Sequence, residues 1–276
     1  MRVVAHLSDL HFCRTDPATL PALANAIAAA KPDVVVVSGD LTQRARTREF
    51  EEARRFLDTL PQPQIVVPGN HDIPLYNVLS RWLEPLDNFR RYIGRDLAPF
   101  YADDEIAILG INTARSWTFK NGRINRDQVA RGCARLALSG EHVTRLVVTH
   151  HPYDVPGTED DRNLVGRAQM AMAGFAHCRV DMILSGHLHV GYIGHSAARY
   201  KIPGYSALVV QSGTATSSRR RGENNSFNII AINRPHVHID RLAWDGTSFV
   251  LSETEHFEFV QDGWFRVGDI HVAEQT

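Results

Sequence analysis

Between Arg2 and Ser185, short runs of apolar, largely β-branched residues alternate with longer segments of helical spacing. That order leaves few folds other than a parallel sheet with crossover helices. Arg2 to Ser8 is the first strand, and the alanine-rich helix Thr19 to Lys31 stops at Pro32, as residues before proline leave the helical region. The next strand, Asp33 to Ser38, is almost wholly apolar, as strands covered on both faces tend to be. The spacing then predicts a helix over Thr47 to Leu60, a short strand Gln64 to Val67, and a helix Leu75 to Gly94. In that last helix Trp82, Leu86 and Phe89 share one apolar face turned to the core. Strands Glu105 to Ile111, Arg145 to Thr149 and Asp181 to Ser185 follow, with helices Arg126 to Leu138 and Val165 to Cys178 between them.

Beyond Gly191 the pattern changes to strand-like runs, Ser206 to Gln211, Ser226 to Ile232, Val237 to Ala243 and Phe249 to Ser252, divided by turns such as Asp245-Gly246. No Pro/Gly/Ser-rich linker separates the two parts. The expectation is therefore an α/β, α+β-layered chain forming a single domain over 1–276. Its carboxyl-terminal strands, 192–260, complete a second sheet, giving a four-layer helix-sheet-sheet-helix sandwich. With 276 residues, 43% of them hydrophobic, the chain can bury a substantial core.

Thirty basic against thirty-one acidic residues leave a net charge of -1, so no overall field draws nucleic acid or a membrane surface. No run approaches the roughly 18 apolar residues of a membrane span. Cys13, Cys133 and Cys178 show no Cys-x-x-Cys spacing, which argues against a disulfide framework or a thiolate zinc site. The chain also begins directly on a strand rather than on a signal peptide, so the expected location is the cytoplasm.

Five short polar segments follow strand exits: Asp9-Leu10-His11, Gly39-Asp40, Gly69-Asn70-His71-Asp72, His150-His151 and Gly186-His187-Leu188-His189. Loops at the carboxyl ends of parallel strands are the usual ligand site of such sheets. Asp and Asn in loops also cap helices and satisfy turns, but five such segments in this order point to metal. Asp9 and His11 can address one ion, and Asp40 can bridge two. Asn70 offers an amide oxygen, and His150, His187 and His189 offer imidazoles. Carboxylate, amide and imidazole donors without thiolate suit two divalent ions of manganese, iron or zinc, whereas calcium takes more oxygens. Two such ions about 3.5–4 Å apart can activate water and clamp the attacking and leaving oxygens of a displacement at phosphorus.

From Asp9 to His189 the chain resembles the calcineurin-like metallophosphoesterase superfamily, whose pattern runs D-x-H, G-D, G-N-H-[D/E], H, G-H-x-H. The resemblance implies that Asp9, His11, Asp40 and His189 hold one metal, and Asp40, Asn70, His150 and His187 the other. It also implies that His71 contacts the phosphate and protonates the leaving oxygen, a task suited to an imidazole with an unperturbed pKa of about 6.5. Asp72 would orient it or fix the turn. The superfamily's protein phosphatases extend the second motif to G-D-x-x-D-R, but here Gln43 stands at the second acid. With His150-His151-Pro152 and Gly39-Asp40-Leu41, the chain looks more like bacterial class III cyclic-nucleotide and glycerophosphodiester phosphodiesterases. The implied partner is a small-molecule phosphoester.

Other branches imply other roles. Hydrolysis of a UDP-diacylglucosamine-type pyrophosphate usually goes with arginine in place of His71 and needs an apolar groove, which the Leu75 to Gly94 segment could cover. A nuclease subunit needs a basic track that composition does not supply. A metal-containing interaction scaffold, like the retromer subunit of this fold, needs no intact ligand set. A homodimer through the carboxyl-terminal strands is expected. His151 is read as a residue supporting the ligands, Cys13 as a small buried thiol, and His6, His195, His236 and His238 as structural or surface residues. Arg219-Arg220-Arg221 could meet a substrate phosphate or form a solvated loop. Specificity is expected in the loops Trp117 to Arg123, Tyr153 to Val165 and Ser217 to Asn225.

Overall fold

Strand β1 (Arg2–Leu7) pairs in parallel with β2 (Val34–Val37), which pairs in parallel with β3 (Gln64–Val66). The side-chain period of two sends Val4, Val34 and Val36 to one face, and Ala5, Leu7, Val35 and Val37 to the other. Both faces are covered, which is why these strands read as unbroken apolar runs. The computed structural model describes residues 1–276 apart from 76–77, 119, 158–160, 218–222, 262, 269–276 and the side chains of 78 and 80.

A second sheet is built on β4 (Phe100–Ala102), β5 (Ile106–Gly110), β6 (Thr144–Val148), β7 (Met182–Ser185), β8 (Tyr192–His195) and β9 (Leu208–Gln211), in the order β4-β5-β6-β7-β9-β8. The remaining strands are β10 (Ser226–Asn233), β11 (His236–Trp244), β12 (Phe249–Val260) and β13 (Gly263–Arg266). They join the first sheet, whose order is β13-β12-β11-β10-β1-β2-β3. The expectation that 192–260 complete the second sheet therefore holds only for β8 and β9. β1 has β2 on one side only, and its other row of backbone groups would lie open; β10 pairs there antiparallel, Val4 opposite Ile230.

Side chains of both sheets interdigitate between them, among them Val36, Ile65, Ile108, Leu184, Val210, Ile230 and Phe257. The outer face of the first sheet is covered by helices α1 (Thr19–Ala30) and α2 (Thr47–Leu57) through Leu23, Ile27, Phe50 and Leu57. Two short helices, α3 (Val78–Leu83) and α4 (Asp87–Tyr92), follow β3. Helices α5 (Arg126–Leu136) and α6 (Ala168–His177) cover the second sheet with Val129, Leu136, Met172 and Phe175. The result is the helix-sheet-sheet-helix sandwich.

Four local expectations are corrected. The segment from Leu75 to Gly94 is not one helix, because Pro85 interrupts it between α3 and α4. Leu86 and Phe89 enter the core, but Trp82 is 47% exposed and meets Trp117 ring to ring at 3.9 Å. Cys13 is exposed rather than buried, and Cys133 and Cys178 are bonded to each other, a pairing that their separation of 45 residues gave no means to foresee. No helix among the described residues is long and apolar enough to cross a membrane.

Candidate metal centre

The carboxyl ends of β1, β2, β3, β6 and β7 deliver all seven expected ligands to one end of the sandwich. Asp9 Oδ1 lies 3.5 Å from His11 Nε2 and 3.3 Å from His189 Nε2. The two imidazole nitrogens are themselves 3.3 Å apart. On the other side, His150 Nε2 is 3.1 Å from Asn70 Oδ1 and 3.2 Å from His187 Nδ1. Asp40 stands between the groups, with Oδ2 3.7 Å from His11 Nε2 and 3.4 Å from His150 Nε2. Asp9 also approaches the second group, clustering with Asp40 and His150.

The chemistry of the set fits cations. Asp9 and Asp40 are almost fully buried, and Asp9 Oδ1 has no hydrogen bond. Burial opposes ionisation of Asp9, yet the His189 and His11 imidazoles hold it well below the usual carboxylate range. Burial likewise opposes ionisation of Asp40, but the His150 and His71 imidazoles outweigh it and hold that carboxyl low. His150 shows the reciprocal effect: burial pulls it down, and the Asp40 carboxylate more than reverses this, to about 9. Burial and then the neighbouring His150 push His187 down to about 3. Two buried carboxylates that need positive charge beside them, with imidazole lone pairs converging on the same points, are what divalent ions bind by displacing protons.

Backbone conformation aims these groups. Asp9, His11, Asp40, His187 and His189 all have positive φ, at 55°, 48°, 49°, 76° and 62°. Non-glycine residues rarely adopt that region, and strain of roughly 1–3 kcal/mol each is tolerated where surrounding structure imposes it. Neighbouring hydrogen bonds do so here: Ser8 Oγ and His187 N donate to Asp9 Oδ2, at 2.6 and 2.9 Å. His71 N donates to Asp40 Oδ1 at 2.8 Å, and His150 Nδ1 donates to Ser38 O at the same distance. Gly39, at φ +98°, has no room for a Cβ, which would lie 2.6 Å from His150 Nδ1. Gly39→Ala is expected to lose roughly 1–3 kcal/mol of unfolding free energy through backbone strain alone. Urea denaturation of the two proteins checks this, and equal midpoints would contradict it.

His71 borders the centre, its ring 5.0 Å from that of His11. Its Nδ1 lies 2.9 Å from the backbone carbonyl of Gln43 and 3.1 Å from the Gln43 side-chain amide. Nδ1–H donates to the carbonyl, and the Gln43 side-chain amide packs against the same nitrogen. Gln43, which in the sequence served only to exclude the protein phosphatase pattern, is thus the residue that holds His71. Gln43→Ala should lower kcat about fivefold, the equivalent of one hydrogen bond of about 1 kcal/mol, with KM little changed. Steady-state kinetics would show otherwise if KM carried the loss.

Asp72 fixes the turn. Its carboxylate accepts from Leu41 N, Thr42 N, Thr42 Oγ1 and Gly69 N at 2.9–3.2 Å, tying the Asp40 loop to the Asn70 loop. Burial and the Asp40 charge push it up to about 6. His151 is buried with both ring nitrogens engaged, Nδ1 to Thr113 Oγ1 at 2.8 Å and Nε2 to Lys120 O at 3.0 Å, which suits a supporting role. It nonetheless shares a cluster with His150 and His187. His6 is also interior, with Nε2 3.0 Å from Ser38 Oγ. Arg219, Arg220 and Arg221 lie outside the described residues.

A family model for calcineurin-like phosphoesterases matches residues 2–191. A probable cyclic nucleotide phosphodiesterase of Synechococcus sp. is 26% identical over 206 residues, 69% of this chain and 74% of that protein. The glycerophosphodiester phosphodiesterase GpdQ of Enterobacter lignolyticus is 29% identical over 174 residues, covering 58% of this chain and 60% of the relative. Among solved structures, a dimetal phosphatase from Danio rerio superposes with a TM-score of 0.59 at 15% identity, covering 91% of this chain and 98% of that one, a likeness of fold.

Proposed function

The chain belongs to the calcineurin-like phosphoesterase family and is a hydrolase of phosphoester bonds, and we propose that its substrate is a small phosphodiester of the cyclic-nucleotide or glycerophosphodiester type. The observation that carries this reading is the Asp40 carboxylate, placed within 3.7 Å of His11 and 3.4 Å of His150, between two clusters of donors. Asp9, His11, Asp40 and His189 would hold one divalent ion, and Asp40, Asn70, His150 and His187 a second, drawn from manganese, iron or zinc. Bound there, the ions would supply Lewis acidity toward the phosphoryl oxygens and an activated water. His71, its Nδ1–H donating to the Gln43 carbonyl, would deliver a proton from Nε2 to the departing ester oxygen.

The relatives' names support the diester class. The test is a panel of cyclic nucleotides, glycerophosphodiesters, phosphomonoesters and lipid pyrophosphates, run on protein of measured metal content. Metal-dependent turnover fastest on a diester is the expected result, and preference for a monoester would overturn it. One observation favours a second reading. A surface cavity of about 780 Å³ beside the loop after Asp72 is lined by Leu75, Leu79 and Leu83 together with Arg44 and Arg46, a setting that suits the apolar part of a UDP-diacylglucosamine-type pyrophosphate. The same panel separates the two.

A cytoplasmic location and a homodimer through the carboxyl-terminal strands complete the proposal. The redox state of Cys133 and Cys178 in cells tests the first, since such bonds are uncommon in reducing compartments. Light scattering on a sizing column tests the second.

A further inference from the structure

His151 is buried beside the metal centre without being needed as a ligand, and what it holds is the loop that follows β5. Thr113 Oγ1 lies 2.8 Å from its Nδ1 and Lys120 O lies 3.0 Å from its Nε2, while Arg123 N donates to Thr113 O at 2.9 Å and closes the loop. Gly122 lies against the same ring, where a Cβ would come within 2.1 Å of Nδ1. The His151 ring is 4.7 Å from that of His187 and 4.9 Å from that of His150, centroid to centroid. The backbone of Lys120 is thereby seated next to the second group of donors. Its side chain carries a charge there: Nζ donates to Oδ1 of the buried Asn163 at 2.7 Å. That amide is neutral, and no carboxylate among the described residues pairs with the ammonium. The charge is felt at the centre, since burial and His150 depress His187 most and Lys120 acts in the same direction.

We propose that Lys120 binds a non-bridging oxygen of the substrate's phosphoryl group on the His187 side of the centre. The inference deepens the phosphoester reading and rests on it. An ammonium on a flexible stem acts as a point charge toward phosphate, and a hydrogen bond between two charged groups is about twice as strong as one between neutral groups. Asn163 orients the lysine without neutralising it, so exchanging the neutral amide for an anionic oxygen favours the bound substrate. His151, with both ring nitrogens engaged, keeps the lysine's backbone in place while the side chain makes that exchange.

Inorganic phosphate is titrated calorimetrically into the manganese-loaded full-length protein and into its Lys120→Ala, Lys120→Gln and Lys120→Arg variants. Loss of one hydrogen bond to a charged group should weaken phosphate about tenfold in the alanine and glutamine variants, whereas arginine should keep most of the affinity. The KM for bis(p-nitrophenyl) phosphate should rise by a similar factor. Manganese content and melting temperature should match the wild type's in all three, because Lys120 is exposed and holds no ion. Glutamine can still donate to Asn163, so a glutamine variant with wild-type phosphate affinity would mean that the lysine only ties two segments together, and would overturn the proposal. An alanine variant of undiminished affinity would do the same, as would a wild type that binds no phosphate. Preference for a monoester in the substrate panel would overturn the diester reading alone and leave this titration as it stands.

Discussion

Asp40→Ala will lower metal-dependent kcat/KM by at least about 100-fold, because loss even of a residue supporting a ligand costs 10- to 100-fold, and Asp40 stands between both clusters. Substitution leaves His150, which the Asp40 carboxylate holds at about 9, without that charge beside it. Elemental analysis should show the ion content falling below two per chain. A readout apart from activity comes from unfolding. An ion that binds only the folded state stabilises it by about 4 kcal/mol when present at 1,000 times its Kd. Adding manganese should therefore raise the wild type's melting temperature, and chelation should reverse the rise. In Asp40→Ala the shift should shrink or vanish. A variant that retained both ions and full turnover would remove the basis of the proposed function.

His71→Ala should behave differently, keeping both ions and the melting temperature while kcat falls about 10²- to 10⁴-fold, the range of general acid catalysis. The size of the loss should depend on the leaving group. A glycerol or ribose oxygen departs as a strongly basic alkoxide unless protonated, so those substrates should show the full effect. p-Nitrophenolate departs without a proton, so bis(p-nitrophenyl) phosphate should show only a small one. An equal loss on both substrates would mean that His71 binds the phosphate rather than protonating the leaving oxygen. Because Nδ1 is engaged by Gln43, asparagine at position 71 could restore the contact to Gln43 but not the proton, and should stay slow on the alkyl esters.

Much of the centre could be read from the chain because each donor sits immediately after a strand whose apolar run is conspicuous, as His150 does after Thr144–Val148 and His187 after Met182–Ser185. The supporting residues were less legible. Ser8, Ser38 and Gln43 act through a hydroxyl, a backbone carbonyl and an amide directed at particular atoms. Such residues occur throughout ordinary loops, and only their direction marks them out. Trp82 misled for a related reason: its spacing to Leu86 and Phe89 fits a continuous helix, and Pro85 cancels that periodicity by ending it.

The order of residues alone determined the layered α/β class, the seven donor types and their positions at strand exits, since apolar period and loop polarity are local properties of a chain. Which sheet each carboxyl-terminal strand joins, the bond between Cys133 and Cys178, and the left-handed backbone at five donors were decided only by tertiary structure. The physical reason is distance along the chain. His11 and His189 are 178 residues apart yet their nitrogens approach to 3.3 Å, and only the pairing of strands and the packing of two sheets bring such atoms together.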